Sequence, residues 1–255
     1  MSLEYSASSR PRSAGRTTLS AELAMAKRLA QTSEGADPAE MPAYKTGPLD
    51  ASTWDAFAEL VERNNGVYGG CWCIAHHVEY QRGVSDPRTL KEELVRAGRA
   101  RAALVFDEDA LAQGWCQYGS PEELGLKHHR EYAKDPPPRA HWRIACIFVD
   151  KRHRGRGVAR AGLEGALAQI AAAGGGLVEA ISEVTAGREA QGRFLFSATV
   201  ELFEEYGFTR RRQVGKHAWI VSREIDPAEW THTSAHDTSA VSSPRNAHEP
   251  PAPRP

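Results

Sequence analysis

The sequence predicts one α/β domain with unstructured ends, and three observations point to it. The first is the stretch 143–170, where the apolar run Ile144-Ala145-Cys146-Ile147-Phe148-Val149 leads through five polar residues and Gly155-Arg156-Gly157 into a helical pattern. The second is the mixture of short β-branched runs and 3.6-period segments between about residues 46 and 225. The third is the composition of the ends. Residues 1–45 are rich in Ser, Ala, Arg and Pro, and residues 226–255 close on a proline-rich run. Neither end has enough large apolar side chains to offset the entropy of ordering, so both are expected to be disordered tails around a domain spanning 46–225.

The elements follow in order. Ser52 to Arg63 reads as a helix, with Ser52 and Asp55 as a capping box and Trp54, Phe57, Leu60 and Val61 on one face. Asp86-Pro87 supplies an N-cap and a first-turn proline for a second helix ending near Arg99. Residues 102–106 and 111–118 are strands joined by the acidic turn Asp107-Glu108-Asp109, and a polar, proline-bearing segment runs from Gly119 to Trp142. The strand 144–149 precedes a helix whose Leu163, Ala166, Leu167 and Ile170 share a face, and Gly174-Gly175-Gly176 stops it. A strand at Leu177 to Val184, a helix from Phe196 to Tyr206 ended by Gly207, and a hairpin of 209–214 with 217–223 complete the core.

A strand that feeds a glycine-rich turn and then a helix makes an anion cradle. The unpaired N–H groups of the first helical turn and the helix dipole favour a phosphate there, and glycine lets the ligand approach the backbone. The Walker pattern is absent because no Lys-Ser or Lys-Thr follows the glycines. The dinucleotide fingerprint is broken by Arg160 at its third glycine.

Arg154-Gly155-Arg156-Gly157-Val158-Ala159 resembles the acyl-CoA signature of the GNAT acetyltransferase superfamily, Arg/Gln-x-x-Gly-x-Gly/Ala, with Val149 placed five residues before the arginine as in that family. Gly207-Phe208 resembles the pair that ends the family's fourth helix, and the likeness runs from about Asp50 to Arg223. The resemblance implies a mixed, mostly antiparallel central sheet flanked by helices, with a short first strand near Tyr44 to Leu49. It implies acetyl-CoA as co-substrate, its diphosphate on the 154–159 turn and its pantetheine arm beside Ile147, Phe148 and Val149. It also implies an N–H near Cys146 or Ile147 that polarises the thioester carbonyl. The product would be an acetylated amine, small molecule or protein, formed by direct attack.

Two departures accompany the likeness. Phe203 stands where the family often has a proton-donating tyrosine, and Tyr206 lies on another bearing of the helix. The organising strand also has no central glutamate. Glu183 is the first choice as base, with Glu179, Asp150 and His141 behind it, and deprotonation through water stands beside them.

The segment 64–77, with Cys71-Trp72-Cys73 and His76-His77, admits three readings. Zinc needs four placed ligands and no second cysteine pair exists, so no metal is assigned. The cysteines otherwise pack as small apolar groups. By the family resemblance, the connection between the first two helices lines the acceptor site, which names Tyr68, Trp72, His76 and His77 as pocket residues. The Gly-Gly-Cys-Trp-Cys element is similar to that of a bacterial GNAT group, which supplies no substrate. Lys127, His128, His129 and Arg130 either border that site or belong to a solvated loop.

With 32 basic and 33 acidic residues, nothing in the charge favours nucleic acid. No run is apolar enough to span a bilayer, the start does not read as a signal peptide, and four cysteines in so large a core suit the cytoplasm. Three functions stay open: an N-acetyltransferase, an acyl-CoA-binding sensor or partner module without catalysis, and a metal-dependent regulator. Oligomeric state is not determined by these features.

Overall fold

The computed structural model describes residues 44–80, 85–187 and 195–230. Seven strands form one sheet: β1 (Lys45–Pro48), β2 (Arg101–Phe106), β3 (Ala112–Gly119), β4 (Trp142–Val149), β5 (Gly176–Glu183), β6 (Thr209–Gln213) and β7 (Ala218–Ile225). Their order is β1-β2-β3-β4-β5-β7-β6, and every pairing is antiparallel except β4 with β5. The helices are α1 (Trp54–Glu62), α2 (Pro87–Arg96), α3 (His129–Lys134), α4 (Val158–Ala172) and α5 (Val200–Glu205). This is the mixed, mostly antiparallel sheet flanked by helices that the resemblance implied. The expected tails, 1–45 and 226–255, lie almost wholly outside the described residues; Pro227–Trp230 form a 3-10 turn after β7.

Alternation along the strands makes two cores, one on each face. Trp115, Cys146 and Phe148 face α1, α2 and the chain between them, meeting Trp54, Phe57, Leu60 and Ile74. Cys116, Ile144 and Ile147 face the other way, onto Leu163, Leu167 and Ile170 of α4 and Phe203 of α5. The same 3.6-residue spacing read from sequence therefore buries the faces expected of α1 and α4.

Local chemistry differs from expectation in three places. The capping box at α1 does not form, because Asp50 takes the Ser52 amide at 2.8 Å and Thr53 donates its hydroxyl to the Pro48 carbonyl at 2.7 Å. The polar segment 119–142 contains α3, whose last carbonyls, Glu131, Tyr132 and Asp135, receive Arg212 Nη2. The helix expected from Phe196 begins only at Val200, with the Thr199 hydroxyl capping Leu202 N at 3.1 Å. Residues 195–199 are drawn away from the helix by bonds to β4 and β5.

Those two strands pair only from Trp142↔Val178 to Ile144↔Ala180. Ala145 is an extra residue in the β3–β4 ladder, a bulge that bends β4 away from β5. On the opposite side of β4 the packing is close. A Cβ at Gly114 of β3 would lie 2.5 Å from the Phe148 carbonyl oxygen and 2.6 Å from Val158 Cγ1 at the start of α4. Backbone cannot yield cheaply here, so Gly114→Ala is expected to destabilise the domain by about 1–3 kcal/mol in urea denaturation, against a smaller change for Gly125→Ala, whose Cβ would meet only the His76 carbonyl oxygen at 3.6 Å.

Candidate functional site

The site begins with the corner where β4 ends. Asp150 is fully buried, and its carboxylate receives Arg63 Nε at 3.0 Å, Asn64 Nδ2 at 3.2 Å, the Arg152 amide at 3.0 Å and Arg152 Nη2 at 3.0 Å. Arg63 also reaches the Ala112 carbonyl and Gln113 Oε1 on β3. Although burial alone would raise its pKa, these donors hold the Asp150 carboxyl far below the usual carboxylate range. Asp150 is thereby removed from the candidate bases: it is a buried anion that fixes the corner.

From Asp150 the chain makes a 3-10 turn over Lys151–His153, extends at Arg154, and then passes Gly155 at φ +73° and Gly157 at φ +87°. These left-handed values favour glycine, and a Cβ at Gly155 would meet nothing within 4 Å. The turn is open to solvent, with Arg154, Gly155 and Arg156 exposed, Gly157 and Ala159 half-buried and Val158 turned into the core. Gly157 caps the fifteen-residue α4, so the first-turn amides point outward at the positive end of its dipole. Neither Arg154 nor Arg156 is held in a salt bridge among the described residues. The corner has the charge, exposure and unpaired amides that an anionic diphosphate requires.

Beside the corner, β4 and β5 diverge. Asp150 N donates to Gln113 O at 2.9 Å, so by antiparallel alternation the amides of Phe148 and Cys146 also face β3, while those of Ile147 and Val149 face the gap. The gap holds residues 195–199. Ile147 N donates to the Phe196 carbonyl at 2.6 Å, Ser182 Oγ donates to the Ser197 carbonyl at 2.8 Å, and Thr199 bridges Glu183 in parallel. Both amides expected to polarise a thioester carbonyl are therefore engaged, Cys146 by β3 and Ile147 by Phe196. The expected pseudo-strand beside Ile147, Phe148 and Val149 meets the chain's own segment in its place.

A cavity of about 510 Å³ opens next to this segment, on the α1–α2 side of the sheet. Tyr68, Tyr80, His76, Trp115, Cys146 and Phe196 contribute to its walls. The Phe196 ring meets Tyr68 at 6.2 Å and His76 at 5.6 Å, and Tyr68 meets Phe148 edge-on at 6.2 Å. The loop that carries this wall is strained: Val67, a β-branched residue, takes φ +56° and Tyr68 takes φ +43°. Burial, with the charge of Lys127 added, lowers the His76 pKa to about 4, and burial raises that of Tyr68.

Trp72 does not line this cavity. It stacks on Trp54 at 6.2 Å with the Arg88 guanidinium 5.6 Å from its ring, a core position, which corrects its assignment as a pocket residue. His77 lies behind the wall, where Nε2 faces Gln117 Nε2 at 2.7 Å and Lys91 Nζ at 3.3 Å. Lys91 is wholly buried, and burial lowers its pKa. Cys71 and Cys73 share the cavity wall, and Cys73 Sγ receives Trp115 Nε1–H at 3.2 Å. Among the described residues no three His, Cys, Asp or Glu side chains form a metal-binding group.

The other base candidates are distributed. Glu183 ends β5 beside the gap, 3.4 Å from Lys127 Nζ. Glu179 is buried against Arg143 Nε at 2.8 Å and the Tyr132 hydroxyl at 2.9 Å, a pairing between β4, β5 and α3. His141 accepts the Leu177 amide at the opposite end of β4. Phe203 is buried in the α4-side core, and Tyr206 is on that side as well. Lys127, from the segment read as either loop or border, packs on residues 195–199: its Nζ lies 2.7 Å from Ser197 Oγ and 5.2 Å from the Phe196 ring centroid. Sequence reasoning missed Phe196, which fits the apolar period of a helix, and Lys91, which reads as a solvated helix position.

The model of the Acetyltransferase (GNAT) family matches residues 79–208 of this chain. Similar solved structures include a histone acetyltransferase HPA2 and related acetyltransferase from Corynebacterium glutamicum, 16% identical, with 74% of this chain and 98% of that chain covered and a TM-score of 0.43. A GNAT family N-acetyltransferase (YhbS) from Escherichia coli in complex with CoA is 14% identical over 78% of this chain and 89% of that one, at a TM-score of 0.41. The ribosomal-protein-S18-alanine N-acetyltransferase from Escherichia coli is 11% identical over 72% and 94%, at 0.40. No curated protein matches.

Asp150→Asn keeps the shape of the corner and removes its charge, leaving Arg63 without its anion. The variant is expected to lose about 3 kcal/mol in urea denaturation at neutral pH. Because the folded-state pKa is depressed, the wild-type advantage is present above the ordinary carboxylate pKa of about 4 and shrinks as pH falls below it. An unchanged midpoint at neutral pH would show that the corner does not depend on this charge.

Proposed function

The chain belongs to the GNAT acetyltransferase family and is an acyltransferase, and on that premise we propose that it moves an acetyl group from acetyl-CoA to the nitrogen of an amine by direct attack. The observation that carries this reading is the open strand-to-helix corner at 154–159. Its outward amides, positive dipole end and two arginines without salt bridges among the described residues suit the diphosphate of coenzyme A. Gly155 and Gly157 leave the backbone bare, Val158 anchors the helix in the core, and Ala159 continues the first turn.

The pantetheine arm would then run into the gap beside Val149, Phe148 and Ile147. The Phe196 carbonyl occupies the acceptor position that a carbonyl of the arm or the thioester would take on Ile147 N–H. Binding exchanges one backbone acceptor for another, and residues 195–199 move aside. Ile147 N–H then meets the thioester oxygen and stabilises the charge that grows on it during attack. Glu183, at the mouth of the gap, accepts the proton released by the amine through intervening water.

Calorimetric titration with acetyl-CoA tests the reading. Wild-type protein is expected to bind, and the double change Gly155→Glu with Gly157→Glu to abolish binding through bulk and charge at the phosphates. The left-handed conformation costs each substituted residue about 1–2 kcal/mol, so the fold should survive and circular dichroism will show it. Equal binding by wild type and a folded double variant would remove the corner from the site. In the same samples, amide hydrogen exchange at 195–199 is expected to rise when acetyl-CoA binds. A fall there would mean that the segment stays in the gap.

A further inference from the structure

The cavity beside the gap carries information about the acceptor. It lies against Cys146, one residue before the Ile147 amide that faces the gap, so an amine seated in it would approach the place assigned above to the thioester. Its walls come from the strained α1–α2 connection, from β3 and from β4, and its described lining holds no Lys, Arg, Asp or Glu. Tyr68 and Tyr80 line the cavity besides Phe196, so the aromatic character of the wall does not come from that segment alone. Tyr68, nearly half exposed and edge-on to Phe148, sits where a ligand's ring would slide past.

Three cationic groups around the cavity report its polarity. His76 on the wall is held neutral at ordinary pH, by burial first and by Lys127 second. Lys127 is shifted downward by burial, against the opposing pull of Glu183. Lys91, behind the Cys73 wall, is shifted downward by burial as well. The described wall offers no Asp or Glu to pair with an ammonium, so a charged amine carried into the cavity loses solvation that nothing on that wall replaces. A single amine carried into it loses its proton more readily and becomes the neutral nucleophile, which suits a site whose strand lacks a central glutamate. A polycation gains nothing there, because its further charges would meet the same desolvation and the positive Lys127.

We infer that the acceptor is a primary monoamine on an uncharged aromatic body, with the ring held between Tyr68 and Tyr80 and the amino group directed to the β4 bulge. This inference rests on the acetyl-transfer reading above. The step balances without any further reactant: the amine nitrogen forms a bond to the acetyl carbon, the carbon–sulfur bond of the thioester breaks, coenzyme A leaves as thiolate, and one amine proton passes through water to Glu183.

The test is thiol release from acetyl-CoA by the full-length protein with 2-phenylethylamine, tryptamine, putrescine, spermidine and kanamycin. The aromatic monoamines are expected to show kcat/KM values at least about tenfold above the polycations, an advantage of about 1.4 kcal/mol. Tyr68→Ala is expected to raise KM for 2-phenylethylamine about five- to tenfold, with KM for acetyl-CoA unchanged, and Tyr68→Phe to restore it, since the ring and not the hydroxyl makes the contact. A polyamine or aminoglycoside that outpaces the aromatic amines overturns the inference. So does a protein that binds acetyl-CoA but acetylates neither aromatic amine. Failure to bind acetyl-CoA at all is a different result: it overturns the acetyl-transfer reading, and this inference falls with it. Should Tyr68→Ala unfold, the Tyr68→Phe variant and the substrate panel still decide between these outcomes.

Discussion

The buried carboxylate of Asp150 is the interaction on which the site depends. It collects Arg63 and Asn64 from the end of α1 and Arg152 from the turn that follows β4, while the same Arg63 holds Ala112 and Gln113 on β3. A helix end, two strands and the glycine turn are thus tied to one anion. Without such a tie, a turn of exposed glycines would sample many conformations, because glycine has the largest backbone freedom to lose. The position of the outward amides is therefore set from beneath, by charge pairing in the core, and the glycines contribute bareness and the left-handed angles.

A second constraint comes from the parting of β4 and β5. Parallel strands that pair over three residues and then separate leave backbone groups that must find other partners. The Ile147 amide finds one in the Phe196 carbonyl, and the Ser182 hydroxyl donates to the carbonyl of Ser197. Residues 195–199 therefore supply the acceptor that the Ile147 amide lost when the strands parted. In the proposed binding, exchange of that acceptor for another changes the count of hydrogen bonds little.

The cavity adjoining the gap has the opposite electrostatic character to the corner. At 154–159 exposed arginines and helix amides favour anions. Within the cavity, aromatic walls and buried bases disfavour charge of positive sign, as the lowered pKa of His76 shows. Amine acetylation uses both: an anionic carrier must be gripped at one end, and an ammonium must become an amine at the other. The separation is made by the sheet, since β4 contributes its terminus to the first environment and its bulge to the second.

By itself, the sequence determined what local pattern can encode. The strand, glycine turn and helix at 143–170 were legible because apolar runs, φ-tolerant residues and a 3.6-residue period are properties of neighbours along the chain. The glycine turn at 154–159 and its left-handed angles were legible from the same local pattern. What only the tertiary structure decided involves residues far apart in sequence. Asp150 appeared to be a candidate base until Arg63 was found on it. Phe196 fitted a helix until its carbonyl met Ile147, and Trp72 fitted a pocket until Trp54 stacked on it. In each case the deciding partner lies between 18 and 87 positions away, and a long-range hydrogen bond, ion pair or ring contact overrode a short-range preference worth less than about 1 kcal/mol per residue.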